Sequence, residues 1–259
     1  MQPVGEDASS AAPPSLPKRL AVLAALAASG RVAVTKPARF REICEIDVSR
    51  LVGMVRNLSD AEWDAENAAK ENDFAVFSQT RHIIARFSPA TGGPEGYHST
   101  DFWARWSDAL TPVLSSVATQ YDLRRPDFSK VMLARLAAGG KIDPHYDIGL
   151  SNHLTHKIHV PLITNPKVWF QVEGETFRLE VGKAYELNNV GLHAVSNEGP
   201  ADRIHLIFEL FDHADFTAAR SKPFSAADAA SGRPASGSPA RAVPRRHRLG
   251  RETYNDRDR

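Results

Sequence analysis

Short apolar segments separated by turn residues fill the stretch HKIHVPLITNPKVWFQVEGETFRLEVGKAYEL, residues 156–187. The same pattern continues in both directions, and the apolar segments are residues 130–136, 157–163, 167–172, 176–181, 184–188, 193–197 and 202–211. Glycine, proline and asparagine lie between these segments, which is typical of turns between strands. Seven or eight short strands at this spacing predict a β-sandwich or jelly roll.

The residues before this stretch predict helices beside the sheets. Apolar residues recur at helical spacing in residues 48–57 and 101–120, and Pro112 predicts a kink or a restart in the second of these helices. Ser59 and Glu62 have the spacing of a capping box, which begins another short helix. Residues 79–87 are typical of a strand. The predicted fold is mainly β with flanking helices.

Composition separates a folded body from its two ends. The 259 residues are 42% hydrophobic and 24% charged, as in ordinary globular proteins. The net charge of +1 combines 32 Lys+Arg with 31 Asp+Glu, of which ten and four lie in residues 217–259. Residues 1–17 and 217–259 contain few large apolar residues, so we expect both to be disordered. The folded domain is predicted to span residues 18–216.

The charge balance bears on partners and location. The basic excess lies in the tail, around residues 245–248, and the body is mildly acidic, so we expect no nucleic-acid partner held by bulk charge. The basic run is expected to be a solvated tail, with weak nucleic-acid or partner binding as the alternative, and removal of residues 217–259 should leave activity intact. A single cysteine excludes an intrachain disulfide and favours the cytoplasm. No apolar run approaches the ~18–20 residues of a membrane span. Residues 20–28 come nearest; a secretory signal is the alternative to a packed or surface helix there. The sequence does not indicate an oligomeric state.

Candidate metal ligands lie in the segment DPHYD, residues 143–147. In an extended segment, residues two apart face the same side, so His145 and Asp147 would direct an imidazole and a carboxylate to one point. His193, at the start of a later strand, is the candidate third ligand. Two histidines and one carboxylate leave three octahedral positions open, as in non-haem Fe(II) oxygenases. A surface Asp-His pair and a hydrogen-bonded core histidine are the structural alternatives.

Three arginines are candidate anion-binding residues. Arg203 lies ten residues after His193, so the next antiparallel strand can bring it to the same pocket. Its guanidinium suits a carboxylate, such as the distal carboxylate of 2-oxoglutarate, whose other end chelates iron. The alternative interpretation of Arg203 is a structural ion pair with one of the neighbouring acids, at position 202 or 209. Arg81 and Arg135 are candidates for binding a substrate carboxylate, with structural ion pairs as the alternative.

Several ordered motifs together point to one family. They are GGKIDPHYD at residues 139–147, HKIHVPL at 156–162, WF at 169–170 and DRIHLI at 202–207. With these motifs, residues 129–210 resemble the aspartyl/asparaginyl β-hydroxylase family, which includes bacterial proline hydroxylase-like members. The resemblance implies a double-stranded β-helix, which is a cupin-like jelly roll, and the use of Fe(II) and 2-oxoglutarate.

The resemblance also implies roles for individual residues. It makes His145 and His193 iron ligands and Arg203 the anchor of 2-oxoglutarate. His156 matches a histidine that contacts 2-oxoglutarate in the vertebrate-type members. The alternative is that His156 is an ordinary hydrogen-bonded core histidine, because strand alternation turns it to the same side as Ile158. Those members lack the carboxylate ligand that Asp147 would supply, so the similarity is closer to the small bacterial enzymes. No role is assigned to the two other histidines of these motifs, at positions 159 and 205.

The predicted function is that of a dioxygenase that uses Fe(II), 2-oxoglutarate and O₂ to hydroxylate an aliphatic C–H bond. The expected substrate is a small molecule or peptide: an amino acid, or an aminoacyl or peptidyl unit of aspartyl, asparaginyl or prolyl type. A non-enzymatic jelly-roll module that binds a small molecule or a metal is one alternative. A cupin-type metalloenzyme that does not use 2-oxoglutarate is the other.

Overall fold

The computed structural model describes residues 16–71, 75–89 and 92–217. The predicted disorder at residues 1–15 and 218–259 therefore lies outside the described residues. The helices are α1 Leu16–Ser29, α2 Ser49–Arg56, α3 Asp60–Ala68, α4 Asp101–Ala118, α5 Leu150–Leu154 and α6 Ala214–Thr217, with 3₁₀ turns at Ala75–Phe77 and Pro94–Gly96. The strands are β1 Phe40–Glu45, β2 Thr80–Phe87, β3 His98–Ser99, β4 Pro126–Leu136, β5 Lys141–His145, β6 His156–Ile163, β7 Val168–Val172, β8 Glu175–Phe177, β9 Lys183–Leu187, β10 His193–Asn197 and β11 Arg203–Asp212.

The strands form two antiparallel sheets. The larger has the order β1-β9-β6-β11-β4-β2-β3, and the smaller has the order β5-β10-β7-β8. The second half of the chain supplies β4 to β11, which matches the predicted succession of short strands. The mainly β fold with flanking helices, the jelly roll, is confirmed.

Strand alternation gives the large sheet two different faces. On the helix-side face, Ile204, Leu206 and Phe208 of β11 pack in one core with apolar residues of α2 and α4. On the inner face, Arg203 and His205 of β11 lie against Phe170 of the small sheet. Because side chains alternate along a strand, each residue of β11 belongs to one face only. This alternation decides which residues reach the interior between the sheets.

The predicted helices form, with one difference. In α3, the Ser59 hydroxyl accepts from the Glu62 backbone N–H and the Glu62 carboxylate accepts from the Ser59 N–H, which is the predicted capping box. α4 continues as one helix through Pro112 instead of restarting there. Proline lacks the N–H that would reach the carbonyl four residues earlier, at Asp108. Arg50 donates to that carbonyl at 3.0 Å, so the interrupted bond has a replacement.

The N-terminal apolar run is helical, as one of the two alternatives predicts. α1 begins at residue 16, inside the segment that we expect to be disordered. Among the described residues, no helix combines the length and the apolar composition that crossing a membrane requires.

Candidate metal and anion site

The three predicted ligands come together at the ends of two paired strands. β5 ends at His145 and β10 begins at His193, and the two residues lie opposite each other in the antiparallel register. Their ring centroids are 4.2 Å apart. Asp147 follows β5, and its Oδ1 lies 3.9 Å from Nε2 of His145. One ligand atom from each residue lies within 4.8 Å of the others, and within residues 16–71, 75–89 and 92–217 no other such group of three is found.

Backbone carbonyls fix both imidazoles in the form that binds metals. His145 Nδ1 lies 2.8 Å from the Asp143 oxygen, and His193 Nδ1 lies 2.9 Å from the Gly191 oxygen. A carbonyl oxygen only accepts, so Nδ1 of each ring carries a proton and Nε2 is the nitrogen that faces a metal. Burial, which outweighs the attraction of Asp147, lowers the pKa of His193 to about 4. His193 is therefore neutral at physiological pH.

The carboxylate of Asp147 is also held in place. Its Oδ2 accepts from Asn189 Nδ2 at 3.0 Å and lies 3.7 Å from Lys157 Nζ. Burial by itself would raise the pKa of Asp147, but Lys157, the two histidines and the Asn189 amide outweigh it and hold the pKa well below its usual range. Two imidazoles and one carboxylate converge here, a donor set that suits a divalent iron ion.

Arg203 is buried without a carboxylate beside it. The residue is 1% exposed. Its Nη2 contacts His205 Nδ1 at 2.9 Å, whereas Nε and Nη1 have no hydrogen-bond partner within the described part of the chain. The alternative ion pairs do not form, because Asp202 binds Arg135 and Glu209 binds Lys130.

An unpaired buried guanidinium indicates an anion site. Burial lowers the pKa of Arg203 to about 9, so the side chain stays charged at neutral pH. A buried charge without a counter-charge is costly, and an anionic ligand removes most of that cost. The Phe170 ring, 5.1 Å from the guanidinium carbon, forms the apolar wall beside it.

Three histidines of this interior, at positions 82, 159 and 205, were not predicted from the sequence to belong to the site. His159 and His205 lie 5.8 Å apart between their ring centroids, and each has one buried ring nitrogen without a partner in the described residues. His82 has another such nitrogen. Burial lowers the pKa of all three well below the usual value. Period-two spacing was the available signal, because His205 follows Arg203 by two residues.

His159 links the anion site to the triad. Burial lowers the pKa of His159, and the positive charges of Arg203 and Lys157 lower it further. Val195 packs with Phe170 between the sheets, and His193 lies on the same face of β10 as Val195. The guanidinium of Arg203 lies against Phe170, so Arg203 and His193 face one shared interior.

His156 does not reach this interior, contrary to the expectation that it binds 2-oxoglutarate. Its Nδ1 lies 2.7 Å from Oε1 of Glu186, and its ring centroid lies 4.6 Å from that of Tyr121, just after α4. The adjacent Lys157 faces Asp147 instead. Alternation along β6 therefore places His156 on the helix-side face, where it is the hydrogen-bonded histidine of the alternative prediction.

Arg81 and Arg135 also lie on the helix-side face, where they form the structural ion pairs of the alternative prediction. The two residues are opposite each other in β2 and β4. Both bind Asp60 at the start of α3. Arg135 also binds Asp202 and lies over the ring of Trp63, 5.6 Å from its centroid. Their charges fasten α3 to the sheet.

Comparisons with known proteins agree with the motifs. Residues 101–213 match the sequence model of the family described as Aspartyl/Asparaginyl beta-hydroxylase. No curated protein matches the chain.

Solved structures of 2-oxoglutarate oxygenases are among the similar folds. A 2OG-Fe(II) oxygenase family oxidoreductase from Burkholderia pseudomallei is 11% identical, with a TM-score of 0.40 over 70% of this chain and 94% of that one. A Pseudomonas putida prolyl-4-hydroxylase is 16% identical, with a TM-score of 0.41 over 75% and 98%. HygX from Streptomyces hygroscopicus, solved with nickel and 2-oxoglutarate, is 15% identical, with a TM-score of 0.40 over 67% and 82%.

The matched range contains all three triad residues and Arg203. The resemblance of the chain to the aspartyl/asparaginyl β-hydroxylase family is therefore confirmed, over residues 101–213.

Proposed function

We propose that this protein is an Fe(II)- and 2-oxoglutarate-dependent dioxygenase that hydroxylates an aliphatic C–H bond. The observation that carries the proposal is the buried, unpaired Arg203 facing the same interior as the triad. A structural histidine cluster has no need of an uncompensated cation beside it. A dicarboxylate that chelates a metal with one end and meets a guanidinium with the other accounts for both groups.

The bound iron and co-substrate supply the oxidising chemistry, in which 2-oxoglutarate is converted to succinate and CO₂ while the substrate gains one oxygen atom. The chain supplies orientation. His145, Asp147 and His193 would hold the iron ion, a set of two imidazoles and one carboxylate that is typical of Fe(II) oxygenases. Arg203 binds the distal carboxylate with its free Nε and Nη1 donors. Phe170 and the apolar residues between the sheets exclude water and strengthen this charge contact.

The proposed substrate is a free amino acid or an aminoacyl or peptidyl unit. The support for this finer statement is the family match, which covers residues 101–213. We propose no substrate role for Arg81 or Arg135, because both are engaged with α3.

An anaerobic titration tests the proposal. Addition of Fe(II) and 2-oxoglutarate to the wild-type protein should produce a weak visible charge-transfer band, which His145→Ala should lack. In air, the wild type should form succinate, and mass spectrometry across free amino acids and short peptides should find a product with one added oxygen. Metal binding with neither band nor succinate would instead favour a cupin-type metalloenzyme or a binding module.

A further inference from the structure

Lys36 lies in the segment between α1 and β1 and reaches toward the metal site from outside the sheets. Its Nζ donates to the Asn189 side-chain oxygen at 2.8 Å and to the Thr155 backbone oxygen at 2.6 Å. Lys36 is half-buried and forms no ion pair in the described residues. The ammonium is therefore directed at an amide and a carbonyl instead of a carboxylate.

Asn189 in turn holds Asp147 at two points. Its Nδ2 donates to Oδ2 of Asp147 at 3.0 Å, and its backbone oxygen accepts from the Asp147 N–H at 3.0 Å. The first bond forms only if the amide presents nitrogen, not oxygen, to the carboxylate. The orientation of this side chain therefore decides whether Asp147 is attracted or repelled.

Lys36 sets that orientation. An ammonium only donates hydrogen bonds, so the Asn189 oxygen must face Lys36 and the amide nitrogen must face Asp147. Without Lys36, only the contacts of Asn189 Nδ2 with Asp147 and, at 3.3 Å, with the Asn152 side chain would hold the amide in this orientation. Lys157 does not replace this effect, because it lies farther from Asp147, at 3.7 Å, and is shared with Glu209.

Backbone hydrogen bonds hold the segment on both sides of Lys36. The Val34 N–H donates to the His153 oxygen at 2.9 Å, and the Asn188 N–H donates to the Arg39 oxygen at 2.8 Å. The segment thus runs along the turn that leads into β10 and His193.

We propose that Lys36 is a positioning residue for the carboxylate ligand Asp147 and acts through the Asn189 amide. The proposal rests on the proposed function in one respect, namely that Asp147 binds the metal. It makes residues 30–39, which precede the family-matched range, part of the metal site. Partners behind a metal ligand commonly change metal affinity tenfold to a hundredfold.

The test is a double-mutant cycle on binding of Mn(II), a redox-stable probe, with free Mn(II) followed by electron paramagnetic resonance. We expect Lys36→Met and Asn189→Ala each to raise the Kd for Mn(II) about tenfold or more. The double variant should bind no more weakly than Asn189→Ala alone, because Lys36 acts through that amide. Lys167→Met, a change at an exposed lysine outside the site, is the matched control and should bind like the wild type.

Wild-type affinity in Lys36→Met would overturn the proposal. Additive losses in the double variant would overturn it too, because they indicate that Lys36 acts only by anchoring the segment to Thr155. If Lys36→Met does not fold, Asn189→Ala carries the test, and an unchanged Kd refutes the proposal. His145→Ala distinguishes a failure of the proposed function from a failure of the Lys36 proposal. If His145→Ala binds Mn(II) as the wild type does, the triad is not the metal site, and both proposals are refuted.

Discussion

Nη2 of Arg203 lies 2.9 Å from Nδ1 of His205, and both side chains are buried between the sheets. A guanidinium only donates, so Nδ1 accepts and the proton of the neutral imidazole sits on Nε2. That nitrogen has no partner in the described residues. The pair therefore offers several N–H donors and no free acceptor, which is what an anion requires.

Replacing Arg203 should impair co-substrate binding and spare the metal. We expect Arg203→Met to raise the KM for 2-oxoglutarate about a hundredfold, since charge-assisted hydrogen bonds contribute about 1.5–3 kcal/mol each, and to leave the Kd for Mn(II) unchanged. Succinate formation at varied 2-oxoglutarate and a Mn(II) titration measure the two quantities. Arg135→Met, on the neighbouring strand but the opposite face, is the control. An unchanged KM in Arg203→Met would exclude 2-oxoglutarate binding at this residue.

The same substitution should stabilise the protein when no anion is present. Burying a charge that lacks a counter-charge is costly, and replacing even a paired buried charge by apolar residues can stabilise a protein by about 1–4 kcal/mol. Arg203→Met should therefore melt at a higher temperature than the wild type. Addition of Mn(II) and 2-oxoglutarate should raise the melting temperature of the wild type more than that of the variant. Scanning fluorimetry measures both changes. A variant that melts lower without ligand contradicts the uncompensated-charge argument.

His156 should matter for stability and not for the reaction. Replacing it with phenylalanine removes the bond to the buried Glu186, which keeps Arg41 at 2.8 Å and Tyr121 at 3.0 Å as partners. We expect a loss of about 1–3 kcal/mol in the free energy of unfolding and an unchanged KM for 2-oxoglutarate. Denaturant unfolding and succinate assays provide the two measurements. A large increase in the KM for 2-oxoglutarate would instead show that His156 contributes to co-substrate binding.

Acid should destabilise the metal-free protein through its buried neutral histidines. Burial, with smaller contributions from Lys70 and Arg203, lowers the pKa of His82 from 6.5 to about 3. The unfolded chain takes up this proton near pH 6.5, whereas the folded chain does so only near pH 3. The free energy of unfolding therefore decreases as the pH falls through this window, by up to about 1.4 kcal/mol per pH unit for one such group.

Urea unfolding at several pH values tests this dependence. His82→Gln removes one of the titrating groups, so its free energy of unfolding should decrease less steeply between about pH 6.5 and pH 4. Parallel curves for the wild type and the variant would show that His82 does not contribute.

The sequence by itself determined the succession of strands, the capping box of α3 and the three candidate metal ligands. These features depend mostly on local rules: strands alternate with a period of two, turns require particular residues, and imidazole and carboxylate are the residue types that bind iron. Tertiary structure decided which face of each strand became the interior. His156 and Lys157 are neighbours, and only the packing of α2 and α4 on one side of the sheet directs Lys157 to the site.

Tertiary structure also decided which charges remain free. Arg135 and Arg203 lie on adjacent strands and carry the same charge, but Asp60 of α3 reaches only the first. Lys36 and Asn189 are 153 positions apart, a separation that no local pattern spans. Ion pairs and buried hydrogen bonds are set by distances in space, so the anion site and the support of Asp147 emerge only when the chain folds.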